Sequence, residues 1–285
     1  MYYYLDATPS QAYLKMLYKY PQTAFPYHRL VEENRARDRN EPEYELLDTG
    51  VFDNDRYFDV FVEYAKAAPD DILMRITAHN RGPEDAPLHI LPQLWFRNTW
   101  SWGYENTRPS MSETETGCIA IEHETLGSYH CYLDGSPELL FCDNDTNNRL
   151  LFDDETKGYC KDGINNAVVD GERQAVNPAE HGTKACGHYA STIPAGGKVE
   201  IRLRLSQAPR PKAFTDFGKI FDDRIREADE FYAALQRHLP DPESRLIQRQ
   251  AFAGMIWNKQ FYYYDVPQWL KGDPGQPAPP IERRQ

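Results

Sequence analysis

Arg56-Tyr57-Phe58-Asp59-Val60-Phe61-Val62-Glu63-Tyr64 and Asp71-Ile72-Leu73-Met74-Arg75-Ile76-Thr77-Ala78-His79, joined through Ala68-Pro69-Asp70, decide the fold. Both runs are rich in β-branched and aromatic residues, the side chains that suit a pleated, half-buried surface. The Pro-Asp between them is turn chemistry. A second polar turn, Asn80-Arg81-Gly82-Pro83-Glu84-Asp85-Ala86-Pro87, leads into a third run of strand length, His89-Ile90-Leu91-Pro92-Gln93-Leu94-Trp95. Three strands at short spacing with polar turns between them predict an antiparallel sandwich, not a βαβ fold.

Working outward, residues 2–5 read as an extended aromatic piece. A short helix is expected between the capping sequence Asp6-Ala7-Thr8-Pro9 and Pro21, although Tyr18-Lys19-Tyr20 also suits a strand. A second helix is expected from Pro26 through Arg35, followed by a solvated charged turn over residues 35–41. On the other side, strands are expected at Cys118–Glu122, Ser128–Leu133, Glu138–Phe141, Gly187–Ile193 and Lys198–Leu205. The last two are joined by the hairpin signal Pro194-Ala195-Gly196-Gly197. Residues 143–186 are rich in Asp, Asn, Gly and Lys and predict long loops.

After Pro209-Arg210-Pro211 the apolar period becomes helical. Phe217, Ile220, Phe221, Ile225, Ala228, Phe231, Tyr232 and Leu235 mark one helix. Leu246, Ile247, Phe252, Met255 and Ile256 mark another, from about Pro242 to about Tyr263. The segment Gly272–Pro280 reads as a linker or disordered tail. The expected organisation is thus mainly β: a sandwich domain with N-terminal helices over residues 1–208, a helical linker over 209–265 and a Pro/Gly-rich tail over 266–285.

Composition narrows the function. A net charge of −12 over 285 residues argues against nucleic acid and anionic lipid as partners. No run approaches ~20 apolar residues, so no membrane span is expected, and the N-terminus lacks a signal-peptide pattern. Five widely spaced cysteines, an odd number without C-x-x-C, point to reduced thiols in the cytoplasm, not to a disulfide framework or zinc site.

The strongest site signal is the strand exit Trp95-Phe96-Arg97-Asn98-Thr99-Trp100-Ser101-Trp102. Trp95, Arg97, Asn98, Trp100 and Trp102 combine flat aromatic area with directional donors, which suits either stacking on a sugar or docking a second domain. Core filling is the plainer reading of the same tryptophans. Lys184, in the polar stretch His181-Gly182-Thr183-Lys184, joins them as a candidate substrate-binding or interdomain residue. Asp143, Asp145, Asn147 and Asp154 have EF-hand-like oxygen spacing, but Asn148 stands where that loop needs glycine, so an Asx-rich turn is the better reading. No hydrolase triad, nucleotide-binding glycine loop or metal-binding histidine pattern is present. Glycoside hydrolysis needs two carboxyls at a set separation, and nothing singles out a pair among Asp48, Asp53, Asp59, Glu63 and Asp162. No catalytic residue, cofactor or metal is assigned.

Several strings together resemble a known family. They are Leu17-Tyr18-Lys19-Tyr20-Pro21-Gln22, Phe25-Pro26-Tyr27, Leu46-Leu47-Asp48-Thr49-Gly50-Val51-Phe52-Asp53, Tyr57–Tyr64, Leu94–Trp102, Lys161-Asp162-Gly163-Ile164-Asn165, Gly182-Thr183-Lys184-Ala185 and Trp257-Asn258-Lys259-Gln260-Phe261-Tyr262. In this order they resemble the N-terminal half of bacterial glucosidase-like proteins of glycoside hydrolase family 63, close to the mannosylglycerate hydrolase group. The resemblance implies a β-supersandwich, then linker helices, then an α/α six-hairpin barrel carrying the general acid and base of an inverting reaction. It also implies that this chain begins inside a sandwich strand and stops where the barrel would start, so the catalytic carboxylates have no counterparts here.

The expectation is a non-catalytic sandwich portion of a glycoside hydrolase, scaffolding the barrel and rimming the sugar site. A free-standing carbohydrate-binding module using Trp95, Trp100 and Trp102 is the alternative. The expected partners are carbohydrate or the catalytic barrel, with self-association through any helix face left uncovered.

Overall fold

The protein is mainly β, with 32% of its residues in strands and 28% in helices. A computed structural model describes residues 1–104, 107–155, 157–259 and 261–284. In chain order the elements begin with β1 (Tyr2–Ala7), β2 (Tyr13–Pro21), α1 (Tyr27–Ala36), β3 (Tyr57–Ala68), β4 (Asp71–Asn80), β5 (Ala86–Ile90) and β6 (Gln93–Trp95). There follow β7 (Ser110–Glu115), β8 (Cys118–His123), β9 (Gly127–Leu133), β10 (Glu138–Cys142), α2 (Asn148–Phe152) and α3 (Gly163–Val169). The chain continues with β11 (His181–Gly182), β12 (Lys184–Ile193), β13 (Lys198–Ser206), α4 (Phe217–Leu235), α5 (Pro242–Trp257) and α6 (Val266–Lys271). These residues form two compact units. One comprises Met1–His89, Ala190–Leu203 and Phe214–Asn258; the other comprises Ile90–Tyr189, Arg204–Ala213 and Lys259–Gln285.

In the first unit the strands run β1-β2-β3-β4-β13. The β3–β4 hairpin turns at Pro69-Asp70, pairing Ala68 with Asp71 and carrying antiparallel register to Phe58 opposite Asn80. Tyr13, Ala65 and Leu73 form one core with Phe217, Phe221 and Ala228 of α4. The spacing of the α4 residues puts them on one helix face, and full burial of a phenylalanine such as Phe221 contributes about 1.5–3 kcal/mol. Helix α5 starts at Asp241, whose carboxylate accepts from Ser244 N at 2.7 Å, with Pro242 in the first turn.

The aromatic N-terminus has a structural explanation in this unit. Tyr4 stacks on Trp257 of α5 (5.2 Å between centroids, 20° between planes), and Trp257 Nε1 donates to the Asp6 carbonyl at 3.0 Å. Arg249 pairs with Asp6 and with Asp229, the latter at 2.7 Å. Burial nevertheless holds the Asp6 carboxyl above its ordinary value, against the pull of Arg249.

The second unit contains the antiparallel run β9-β8-β7-β11 and a set in which β10 and β6 both pair with β12. Leu140 and Cys142 of β10, Cys186 of β12 and Ile164 and Ala167 of α3 close its core with Val176. All five cysteines are buried and unpaired, and burial pushes Cys131 and Cys186 up to about 12.

Five local expectations are corrected. The segment before Pro21 is strand β2, because Tyr13–Pro21 pairs residue for residue with β3 from Ala65 to Tyr57, and those ladder bonds outweigh a weak helical pattern. The run from His89 to Trp95 is not one strand: Leu91-Pro92 divides β5 from β6, since Pro92 has no N–H to give and offers only its carbonyl, to Gly187 N at 3.2 Å. Residues 143–186 are not all loop, since α2 and α3 are built from their few apolar residues. Helix α5 ends at Trp257 rather than near Tyr263, with Asn258 as its C-cap; Gln260, in the same stretch, lies outside the described residues. The Gly272–Pro280 segment, expected as linker or disordered tail, is anchored instead, as described below.

Candidate functional site

The exit from β6 is shaped by one turn. Trp95 ends the strand opposite Lys184 of β12. Asn98 Oδ1 then accepts from Ser101 N at 3.0 Å, starting the single 3-10 turn Trp100–Trp102, and Gly103 ends it at φ +80°. A left-handed residue there favours glycine.

This turn is tied to the loop after β10 through Asp145. Asp145 Oδ1 accepts from Trp100 Nε1 and from Asn98 Nδ2, each at 2.9 Å, while Arg108 donates to Oδ2 at 2.5 Å. Arg108 also lies over the Trp100 ring at 5.4 Å and 3.6 Å from Asp143. Asn144 returns the connection, donating from Nδ2 to the Phe96 carbonyl at 2.7 Å. Charge-assisted bonds of this kind fix side chains more firmly than neutral ones. The EF-hand-like spacing is therefore occupied by protein donors. Asp145 holds the turn, Asp143 accepts from Thr183 N at 3.2 Å, and Asn147 caps α2 through Leu150 N at 3.1 Å. Among the described residues no His, Cys, Asp and Glu side chains cluster to hold a metal.

Beside the turn lies a groove of about 700 Å³, lined by Trp95, Phe96, Arg97, Trp100 and Arg108 and by the β8–β9 turn from Glu122 to Leu126. Trp95 is 60% exposed, an open indole on the groove. His123 packs on Phe96 at 5.0 Å, and its Nδ1 accepts from Thr125 N and Leu126 N at 3.2 Å each, which leaves the proton on Nε2. Glu122 accepts from Ser128 Oγ at 2.6 Å, and Glu124 accepts from the Thr107 hydroxyl. The groove thus offers open aromatic area with cationic donors, an imidazole N–H and carboxylate acceptors around it.

The structure brings Trp95, Arg97 and Trp100 together along the groove. Asn98 supports the turn by its bonds to Asp145 and to the Asn144 carbonyl at 3.0 Å. Trp102 lies beyond, in a second depression that also includes Arg97. Lys184 does not line the groove: its Nζ donates to the Lys161 carbonyl at 2.7 Å. Arg108, His123, Glu122 and Glu124 carried no local sequence signal. Asp145 did, as a loop oxygen, but its role depends on partners 37 to 47 residues distant.

No family model matches the chain. It is 35% identical over 332 aligned positions, covering 99% of its length, to the uncharacterized protein YMR196W of Saccharomyces cerevisiae (strain ATCC 204508 / S288c). The chain spans 30% of the length of that relative. Two solved structures show partial likeness. One is a protein assigned as a kojibiose phosphorylase from the human microbiome, at 8% identity and a TM-score of 0.29, covering 70% of this chain and 21% of that one. The other is a protein assigned as an aldose 1-epimerase from Escherichia coli K12, at 7% identity and a TM-score of 0.34, covering 71% and 67%. Among the described residues no helix is long and apolar enough to cross a membrane.

Proposed function

We propose that the groove at Trp95 binds carbohydrate, and that the chain is the non-catalytic sandwich portion of a larger glycosidase-like protein. The observation that carries this reading is the 60% exposed indole of Trp95 on a groove that also presents Arg97, His123 and Glu124. A pyranose has a flat apolar face and a rim of hydroxyls, and it matches an aromatic platform ringed by donors and acceptors. The strings that resemble glycoside hydrolase family 63 support the carbohydrate part of this reading, and a relative of which this chain spans 30% of the length supports its place in a larger protein. In this account catalysis belongs to an α/α barrel, and the five unpaired cysteines fit a cytoplasmic location.

Tryptophan fluorescence titrated with glucose- and mannose-containing oligosaccharides tests the proposal. Saturable quenching that is lost in Trp95→Ala supports it; a flat response in the wild-type protein contradicts it. The second reading, docking of a catalytic barrel, is favoured by the exposed Phe261 (88%) and Tyr262 (83%). Co-purification of the chain with a barrel-bearing polypeptide, lost when both are changed to serine, distinguishes it.

A further inference from the structure

The groove at Trp95 does not stand alone in its unit. A second depression of about 210 Å³ is lined by Trp102, Tyr263, Tyr264 and Trp269, and Arg97 lines both. The side chain of Arg97 lies over the Trp102 ring at 5.1 Å, so its guanidinium forms the sill between the two hollows. Across the second hollow, Tyr264 and Trp269 are 6.1 Å apart and Arg283 covers Trp269 at 4.6 Å.

One backbone and one side-chain hydrogen bond hold this second hollow in place. Gly275 N donates to the Trp102 carbonyl at 2.8 Å and Gln276 Nε2 to the Ser101 carbonyl at 2.9 Å, fixing the chain after α6 against the Trp100–Trp102 turn. The approach is close enough that a Cβ on Gly103 would lie 2.7 Å from Gly275 N. Platforms fixed this way are organised before a ligand arrives, which reduces the ordering cost of binding.

The two volumes differ in meaning. Small-molecule sites commonly occupy about 300–1,000 Å³. The groove falls in that range, whereas 210 Å³ is too little for a separate site of that kind. A lobe that small, floored with aromatic rings and sharing a residue with a full-sized groove, is suited to one ring of a ligand whose remainder lies next door.

We infer that the two hollows are successive subsites for one oligosaccharide, which crosses Arg97 from the Trp95 groove to the Trp102–Trp269 hollow. This deepens the carbohydrate reading and rests on it. Arg97 serves both subsites: its planar guanidinium donates to hydroxyls on either side while Trp102 supports it from beneath.

The test is a chain-length series. Malto- and manno-oligosaccharides of one to six sugars are titrated against wild-type protein, Trp269→Ala, Tyr263→Ala and Trp95→Ala, using calorimetry. Wild-type affinity is expected to rise roughly tenfold between the shortest sugar that binds and the longer chains, as an added stacking platform provides. Trp269→Ala and Tyr263→Ala abolish that rise and leave the short sugars unchanged, whereas Trp95→Ala weakens all lengths. Trp269→Tyr, which keeps an aromatic platform, restores much of the rise and separates loss of stacking from loss of folding. Binding independent of length overturns the two-subsite inference while the groove reading stands. Absence of binding at every length overturns both.

Discussion

Trp100 and Asp145 are joined by a 2.9 Å hydrogen bond from the indole Nε1 to Oδ1, although 45 residues separate them in sequence. The same carboxylate holds Asn98 and Arg108, so a single side chain positions the tryptophan turn. Asp145→Ala removes all three acceptor contacts and is expected to cost about 1–2 kcal/mol, the lower part of the range for unsatisfied donors because the site is partly open. Asp145→Asn keeps one carbonyl oxygen for Trp100 and Asn98 and is expected to lose less. Thermal melts give the difference, and the Trp100 contribution to near-ultraviolet circular dichroism reports whether the turn has moved.

Gly103 and Gly275 test the anchoring of the C-terminal segment. Gly103→Ala imposes a left-handed alanine, at roughly 1–2 kcal/mol, and drives its Cβ against the Gly275 backbone at 2.7–3.0 Å. Hydrogen exchange at the Gly275 amide is expected to quicken, and limited proteolysis to cut between residues 272 and 280. Unchanged protection at Gly275 would show that the bond to the Trp102 carbonyl does not fix this segment.

Glu63 gives a pH dependence of defined sign. Burial alone would raise its pKa, but hydrogen bonds from Arg75 (2.9 Å) and Tyr13 (2.6 Å), with the charges of Arg75 and Lys15, outweigh burial and hold it below the ordinary 4.5. The folded state therefore binds this proton less readily than the unfolded state. The associated stability is present above pH 4.5 and is lost as pH falls through the depressed folded value. Asp59, held below 3.8 by Lys19 and Arg81 against its own burial, acts in the same direction. Denaturant melts from pH 7 to pH 3 are expected to show a falling limb that flattens in Glu63→Gln. Glu63→Ala, which strands Arg75 in a half-buried setting, is expected to cost about 3 kcal/mol at neutral pH.

Phe221 reports on the core of the first unit. It is fully buried against Tyr13, Ala65 and Leu73, with Arg75 over its ring at 4.4 Å. Phe221→Ala is expected to cost about 3–5 kcal/mol, read as a lower midpoint in urea. Phe231→Ala, whose side chain is 38% exposed on the same helix, is expected to cost much less.

The legible parts of the chain were those whose chemistry is local. The β3–β4 hairpin announces itself because Val60, Val62, Ile72 and Ile76 sit in short apolar runs around Pro69-Asp70, and α4 because its phenylalanines recur at helical spacing. Strand β7, Ser110-Met111-Ser112-Glu113-Thr114-Glu115, gave no such signal. It is polar on its exposed face and is a strand because Ser110–Glu115 pairs with β8. The strand exit at Trp95–Trp102 stood out for its aromatics, yet which of them is open was invisible: Trp100 is claimed by Asp145, Trp102 borders the second hollow, and Trp95 alone of the three is mostly exposed. Those assignments depend on residues far along the chain, Asp145 45 positions from Trp100 and the α6 segment around Tyr263 and Trp269 beside Trp102, which local sequence patterns do not encode.

In the proposed reading, Trp95 offers an open platform to carbohydrate. Intrinsic tryptophan fluorescence, titrated with malto- and manno-oligosaccharides in wild-type protein and Trp95→Ala, measures it most directly. Saturable quenching is expected in the wild type and is lost in Trp95→Ala while the melting temperature stays within a few degrees. Quenching of equal amplitude and affinity in the variant, or none in the wild type with any sugar of the series, would contradict it.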